Sequence, residues 1–385
     1  MYKPNADYDY APVLAVDFSS YDRVIAISDI HGDYDGFQGV LNKLSFTCKD
    51  ALVIVGDILE KGSKSLKLLR EVMQCMKQSN FYMVIGNNDV ILEGWYTGRI
   101  SNEDVWHYLH SRDKSIFIDM ANELWLPYET LDDIAQLKTA IETYFPEELH
   151  FLNTLPYIID SEIATFVHAG VKPGDLYTQD KDYCLAAKSF GKRAFPVSKE
   201  HPEQIYRFEK PLIVGHWPTS NYRETIIDIN PYINHDTNVY SIDGGNSMKK
   251  WQQINYLIFE KDGTIVSGSF DTLPKIKVLE GQTSEEEPIT LTFPNTFIEI
   301  REKGEKKSLC YLPCVKKELE ILNSFIYTYK SKPYCSDFTT YHLPVEKDEI
   351  VTFCCQTNDG IFIKRNGIVG KYCGEYEFID EISDE

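Results

Sequence analysis

No stretch of this sequence approaches the roughly 20 consecutive apolar residues of a membrane-spanning helix, which excludes a helical membrane protein. No apolar signal region follows Met1-Tyr2-Lys3-Pro4; the chain runs into an acidic, aromatic stretch instead, so export has no support. No Cys-x-x-Cys pair occurs among the nine cysteines, an odd number that reads as reduced thiols in a cytoplasm. Basic residues are scarce, with 39 Lys and Arg against 59 Asp and Glu and a formal charge of −20. That balance disfavours non-specific binding to nucleic-acid backbones. There is no repeat at solenoid period and no low-complexity linker. What remains is ordinary globular material: 43% hydrophobic, 13% aromatic and 25% charged residues over 385 positions, more than one small core would use.

After an ill-defined lead-in over residues 1–22, a rhythm begins at Arg23. Val24-Ile25-Ala26-Ile27-Ser28, Ala51-Leu52-Val53-Ile54-Val55 and Phe81-Tyr82-Met83-Val84-Ile85 are short apolar runs of the buried parallel-strand kind. Each ends in a polar loop, and the first two lead into clear helical patterns, so the region reads as a layered α/β domain. In such sheets chemistry collects at the carboxyl ends of the strands. Residues 92–155 read as a helical insertion, after which strands resume at Thr165-Phe166-Val167-His168 and Leu212-Ile213-Val214-Gly215-His216. The catalytic domain is expected to span 23–272. Residues 273–385 read as a small β-rich accessory domain, SH3-like in expectation and a candidate surface for a protein partner. One helix is expected there from Lys316 to Tyr329, and Asn366-Gly367 signals a hairpin. Cys310-x-x-x-Cys314 is a weak candidate for a zinc site, buried free cysteine being the commoner outcome.

The predicted strand ends carry Asp29, His31, Asp57, Asn87, His168 and His216. All are oxygen or nitrogen donors suited to hard or borderline divalent metals. Each histidine alone reads more readily as structural, but five strand ends out of five bearing such a residue beside glycine point to a metal site. Six donors exceed one tetrahedral ion and suit two ions sharing a carboxylate. Such a pair, ~3.5–4 Å apart, holds an attacking hydroxide between the ions and polarises a phosphoryl group.

Asp29-x-His31-Gly32, Gly56-Asp57-Ile58-Leu59-Glu60-Lys61-Gly62, Gly86-Asn87-Asn88-Asp89, Val167-His168-Ala169-Gly170 and Gly215-His216 occur in that order. The set resembles the calcineurin-like metallophosphoesterases. Within them it is similar to the phosphoprotein phosphatase branch, which includes bacterial serine/threonine phosphatases and symmetric diadenosine tetraphosphatases. The resemblance covers residues 24 to about 260 and implies a four-layer β-sandwich flanked by helices. It also implies one ion on Asp29, His31 and Asp57, with a second on Asp57, Asn87, His168 and His216. Manganese is the first expectation, iron or zinc the others. The substrate implied is a phosphorylated protein or a nucleotide.

Three departures qualify the resemblance. Where the branch has Asp-Arg-Gly, this chain has Glu60-Lys61-Gly62, so a bidentate fork on phosphate becomes a point charge. Where it has Gly-Asn-His-Glu, this chain has Gly86-Asn87-Asn88-Asp89, and Asn88 cannot protonate a leaving oxygen. A positioned general acid is worth about 10²–10⁴ in rate. Glu60 and Asn88 would then form a weakened dyad. The branch also has a later substrate arginine, for which Arg193 and Arg207 are the candidates. Asp243-Gly244-Gly245 reads as a tight turn behind the site. The expectation is a phosphohydrolase for substrates with good leaving groups. A phosphoesterase-fold binding or regulatory protein without turnover is the alternative.

Overall fold

The computed structural model describes residues 9–192, 195–198, 200–284, 287–357 and 360–379. The chain divides into two compact units. The first runs to Trp217 and adds Pro231–Met248 and Ile254–Asp271; the second takes Pro218–Asn230, Lys249–Gln253 and the chain from Thr272 onward.

In chain order the first unit begins with β1 (Val13–Val16), β2 (Arg23–Ile27), α1 (Tyr34–Lys43), β3 (Asp50–Val55), α2 (Ser65–Cys75) and β4 (Phe81–Val84). Five helices follow: α3 (Ile91–Tyr96), α4 (Asn102–His110), α5 (Ile116–Glu123), α6 (Leu131–Tyr144) and α7 (Pro146–Thr154). Next come β5 (Ile158–Ser161), β6 (Thr165–Val167), α8 (Lys181–Ala186) and β7 (Leu212–Val214). β8 (Ile227–Asp228) belongs to the second unit, while β9 (Tyr232–Asn234), β10 (Val239–Ser241), β11 (Ile254–Glu260) and β12 (Ile265–Phe270) complete the first. Ser101 and Thr130 start α4 and α6 with capping boxes closed by Asp104 and Asp133, which is why these polar residues punctuate the helical block.

Two sheets stack in this unit, one ordered β12-β11-β2-β3-β4 and the other β1-β5-β6-β7-β10-β9. β2, β3 and β4 are parallel, so their carboxyl ends lie along one edge. The apolar runs are continuous because each strand is buried on both faces. Ile25, Ile27, Leu52 and Ile54 pack with Phe37, Val40, Leu69 and Val72 of the helices. The alternate residues Val24, Ala26, Val53 and Val55 meet Ile159, Phe166, Ile213 and Tyr240 of the other sheet. Helix, sheet, sheet, helix is the expected four-layer sandwich. From residue 9 onward the lead-in is more ordered than the sequence suggests. Val13–Val16 pairs in parallel with β5, and Phe18 is buried between the sheets. A four-residue edge strand with acidic flanks is too short to show as a periodicity.

The second unit continues with β13 (Lys275–Val278), β14 (Thr290–Leu291), β15 (Glu299–Lys303), β16 (Lys307–Leu312), β17 (Lys317–Leu322), β18 (Ile326–Tyr329), β19 (Lys332–Cys335) and β20 (Phe338–Thr339). It ends with β21 (Ile350–Thr357), β22 (Gly360–Arg365), β23 (Ile368–Tyr372) and β24 (Tyr376–Phe378). Its largest sheet is ordered β24-β13-β21-β22-β23-β8, beside the meander β15-β16-β17 and the pairs β14/β20 and β18/β19, rather than one small barrel. Asn366 and Gly367 both have positive φ, 49° and 75°, as a two-residue hairpin turn of this kind requires. The helix expected over Lys316–Tyr329 is instead β17, a short 3-10 turn and β18. Lys, Glu and Leu favour helix intrinsically, but pairing of β17 with β16 overrides that weak preference. Cys310 is buried in the core of this unit and Cys314 is exposed, so the two thiols do not share one environment.

Candidate metal centre

Five strands deliver the centre. Asp29 and His31 follow β2, Asp57 follows β3, Asn87 follows β4, His168 follows β6 and His216 follows β7. The chain turns sharply at these ends. Asp29, His31, Asp57, Glu60, Lys61 and His216 all have positive φ, between 51° and 68°. For non-glycine residues this conformation costs of order 1–3 kcal/mol each and persists only where the surroundings enforce it. The turn redirects each side chain from the strand into the space at the sheet edge.

Asp29, His31 and Asp57 present ligand atoms within 4.8 Å of one another, and all three are buried. His31 Nε2 lies 3.8 Å from an oxygen of each carboxylate. Its Nδ1 faces the Leu59 carbonyl at 3.0 Å. A carbonyl only accepts, so the proton sits on Nδ1 and the Nε2 lone pair faces the carboxylates. His168 repeats the device: Nδ1 donates to the Val55 carbonyl at 3.0 Å, and Nε2 sits 3.5 Å from Asp57 Oδ1. That Nε2 is then an acceptor, yet it confronts the Asn87 carbonyl oxygen at 3.0 Å. His216 Nδ1 approaches the same oxygen at 2.7 Å. The His168 Nε2 acceptor facing the Asn87 oxygen is a pairing that a cation resolves.

Electrostatics point the same way. Four carboxylates, Asp29, Asp57, Asp89 and Asp243, are buried at the site beside the Lys61 ammonium. Burial, reinforced by Asp243 and Asp57, holds the Asp29 carboxyl well above its usual range. Burial also opposes charge on Asp57, but His168, His31 and Lys61 outweigh it and hold that carboxyl below the usual range. Burial and Lys61 depress His31 to about 3, and burial with His168 does the same for His216, so both are neutral ligands. Asp243 Oδ1 accepts from the Gly245 N–H at 2.7 Å, the expected turn. Its Oδ2 has no hydrogen-bond partner among the described residues, although the residue is fully buried. An orphaned buried carboxylate oxygen and a surplus of negative charge fit a cationic occupant.

Two glycines are dictated by close approach. A Cβ on Gly86 would stand 2.2 Å from Asp57 Oδ1, and one on Gly215 would stand 1.9 Å from Ser28 Oγ and 2.2 Å from Asp29 Oδ2. Gly215→Ala is therefore expected to lose bound metal as completely as Asp29→Ala, though it removes no donor atom. Elemental analysis of the purified variants checks this, and full metal content in Gly215→Ala refutes it.

Asp89, which carries no assigned role in the sequence reading, organises the loops. Its Oδ2 accepts from the N–H of Asp57 at 2.8 Å and of Gly86 at 2.9 Å, and its Oδ1 from Ile58 at 3.0 Å and Leu59 at 3.1 Å. The signal was its place in Gly86-Asn87-Asn88-Asp89: a carboxylate with four amide partners needs no periodicity, only two loops ending at one point.

The expected Glu60–Asn88 dyad does not form. Asn88 turns to Asp57, donating its backbone N–H to Oδ1 at 2.8 Å and its side-chain amide to Oδ2. Glu60 points into the helical insertion and accepts from Tyr108, Ser115 and Ile116. Lys61 Nζ lies 3.1 Å from His31 Nε2 and 3.1 Å from Met248 Sδ, at the centre. Arg193 lies outside the described residues, and the other candidate, Arg207, reaches the Phe208 carbonyl from an exposed position. His107 and His110 of the insertion pack on the Trp106 ring and face Glu103 and Glu129.

Comparison with known proteins agrees with this geometry. Residues 22–255 match the family model of the calcineurin-like phosphoesterases. A symmetrical bis(5′-nucleosyl)-tetraphosphatase of Photorhabdus laumondii is 41% identical over 78 residues, 20% of this chain and 28% of that protein. The asymmetrical bis(5′-nucleosyl)-tetraphosphatase PrpE of Bacillus mycoides is 25% identical over 231 residues, 55% of this chain and 82% of that one. Serine/threonine-protein phosphatase 2 of Escherichia coli is 39% identical over 80 residues, 20% of this chain and 35% of its own. The first and last of these likenesses therefore cover about a third of the relative's length. The family match spans more than half of the chain and includes every donor named above, so this chain belongs to the calcineurin-like phosphoesterases.

Proposed function

We propose that this chain is a two-metal phosphohydrolase that cleaves phosphate esters or anhydrides having good leaving groups. The observation that carries it is the convergence of Asp29, His31 and Asp57 with Asn87, His168 and His216 around shared acceptor atoms. Asp29, His31 and Asp57 would hold one ion, and Asp57, Asn87, His168 and His216 the other, with manganese expected before iron or zinc. When bound, such a pair supplies Lewis acidity at the phosphoryl oxygens and lowers the pKa of water.

The chain's own residues do the rest. The carbonyls of Leu59 and Val55 hold the His31 and His168 protons away from the centre, so the facing nitrogens stay lone-pair donors. Lys61 brings its ammonium to His31 and would meet the charge of a bound phosphoryl group there. Asn88 orients Asp57 and has no acidic proton to give. The leaving oxygen must then carry its own charge, which favours a phosphate or aryl oxide over an alkoxide. Relatives named tetraphosphatases support an anhydride substrate, and one named serine/threonine-protein phosphatase supports a phosphoprotein. The leaving-group argument favours the first. No helix among the described residues is long and apolar enough to cross a membrane. No disulfide joins any of the nine cysteines, which suits a reducing cytoplasm.

Purified protein with added Mn²⁺ is expected to release nitrophenol from p-nitrophenyl phosphate, and to split diadenosine tetraphosphate faster than a phosphoserine peptide. Equal rates for wild type and Asp57→Ala would overturn the enzyme reading. Preference for the peptide would overturn the substrate.

A further inference from the structure

We propose that Glu60 is a positioning residue that locks the helical insertion onto the metal-site loop and so fixes Lys61 against the substrate phosphate. The proposal rests on the phosphohydrolase reading above. Glu60 is fully buried and follows Asp57 by three residues, and it precedes Lys61. Both have φ near +68°, a conformation sustained only when neighbours over-determine it. Asp89 secures the front of this loop through the amides of residues 57–59. Nothing in that set reaches Glu60 or Lys61, so a second anchor must hold them.

The insertion provides it. One Glu60 oxygen accepts the Tyr108 hydroxyl of α4 at 2.6 Å. The other accepts Ser115 Oγ at 2.9 Å and the Ile116 N–H at 3.0 Å, at the start of α5, where a carboxylate is favoured by the helix's own amides. Arg112 stacks on the Tyr108 ring 3.3 Å from its centroid, and its Nη1 lies 3.8 Å from the carboxylate. Behind the loop, the Glu60 N–H donates to Ser65 Oγ at 3.1 Å. With both oxygens committed, Glu60 is not a proton-relay partner for Asn88. It transmits the position of the insertion to the next residue, Lys61. An insertion that shifts would move Lys61 while leaving Asp57, held by Asp89, where it is.

The test uses the full chain loaded with Mn²⁺ and inorganic phosphate as the probe in calorimetric titration. Tyr108→Phe and Glu60→Ala are each expected to weaken phosphate binding about tenfold or more, the scale of one hydrogen bond to a charged group. Metal content should stay unchanged. Glu60→Gln, which keeps an acceptor for Ser115 and Ile116, should recover part of the loss. The discriminating variant is Lys61→Ala combined with Tyr108→Phe: because the effect passes through Lys61, the pair should bind phosphate no worse than Lys61→Ala alone. In turnover the loss should fall on KM rather than kcat. Additive losses, or Tyr108→Phe altering thermal stability with phosphate binding intact, would overturn the proposal. If the wild type binds no phosphate, the phosphohydrolase reading fails instead. Hydrogen exchange at residues 60–62 then decides: faster exchange in Tyr108→Phe supports the lock, and unchanged exchange overturns it.

Discussion

Asp57→Asn is expected to empty the centre of both ions and to lower kcat by about 10³ or more. Among the described residues Asp57 is the one carboxylate that faces two histidines from opposite oxygens, His31 from Oδ2 at 3.8 Å and His168 from Oδ1 at 3.5 Å. An amide there keeps one acceptor and turns a donor toward the other histidine, whose Nε2 lone pair would accept that proton instead of binding an ion. The lost stabilisation of phosphoryl charge is several kcal/mol, and each 1.36 kcal/mol is about tenfold in rate. Asp29→Asn should behave differently. It touches the first ion alone, so elemental analysis should find about half the metal of the wild type. The metal-free stabilities should also run against intuition. Burial, reinforced by repulsion from Asp243 and Asp57, raises the Asp29 carboxyl above the usual range. A folded-state pKa that is raised makes the ionised form a cost at neutral pH, so its neutral isostere should melt no lower than the metal-free wild type. A marked fall in the melting temperature of metal-free Asp29→Asn would contradict the view that the site is charged for function rather than stability. Full metal content in Asp57→Asn would contradict the bridging assignment.

The donors were legible in the sequence because each closes an apolar run, and the parallel order of β2, β3 and β4 carries the run ends to one edge. A strand buried on both faces announces itself as four or five apolar residues, and the residue after it needs no prediction. What the sequence does not show is where a side chain points after a turn. Glu60 and Asn88 lie on adjacent loops and look like partners. At φ +68° the Glu60 side chain leaves toward α4 and α5, and only the structure reveals the Tyr108 and Ser115 contacts 48 and 55 residues away. Asp243 is similar: the turn through Gly245 was readable, the unpartnered second oxygen was not, because it depends on what the neighbouring strand ends leave unfilled. The second unit shows the reverse failure. Residues 227–228 join its main sheet from the middle of the catalytic sequence, a pairing with β23 that no local pattern encodes.

The rate of the wild-type enzyme should fall steeply as the pKa of the leaving group rises. Asn88 commits its side-chain amide to Asp57 and has no proton of suitable acidity, so charge stays on the departing oxygen in the transition state. Aryl phosphates and anhydrides should turn over, and alkyl phosphates hardly at all. Restoring a histidine by Asn88→His has a ceiling of about 10²–10⁴, the worth of a well-placed general acid. The structure argues for far less. An imidazole acts as an acid only when its other nitrogen is held, and the carboxylate that would hold it is already bound to Tyr108, Ser115 and Ile116. Glu60 cannot swing back without abandoning three hydrogen bonds and leaving Arg112 beside an empty pocket. Asn88→His alone is therefore expected to gain less than about tenfold on alkyl substrates, since a misplaced group forfeits most of its advantage. It should also disturb Asp57, which loses the amide donor. The measurement is rate against leaving-group pKa for both proteins. A shallow wild-type slope would mean that another residue already supplies the proton, and a gain near the ceiling in Asn88→His would mean that Glu60 is free to move.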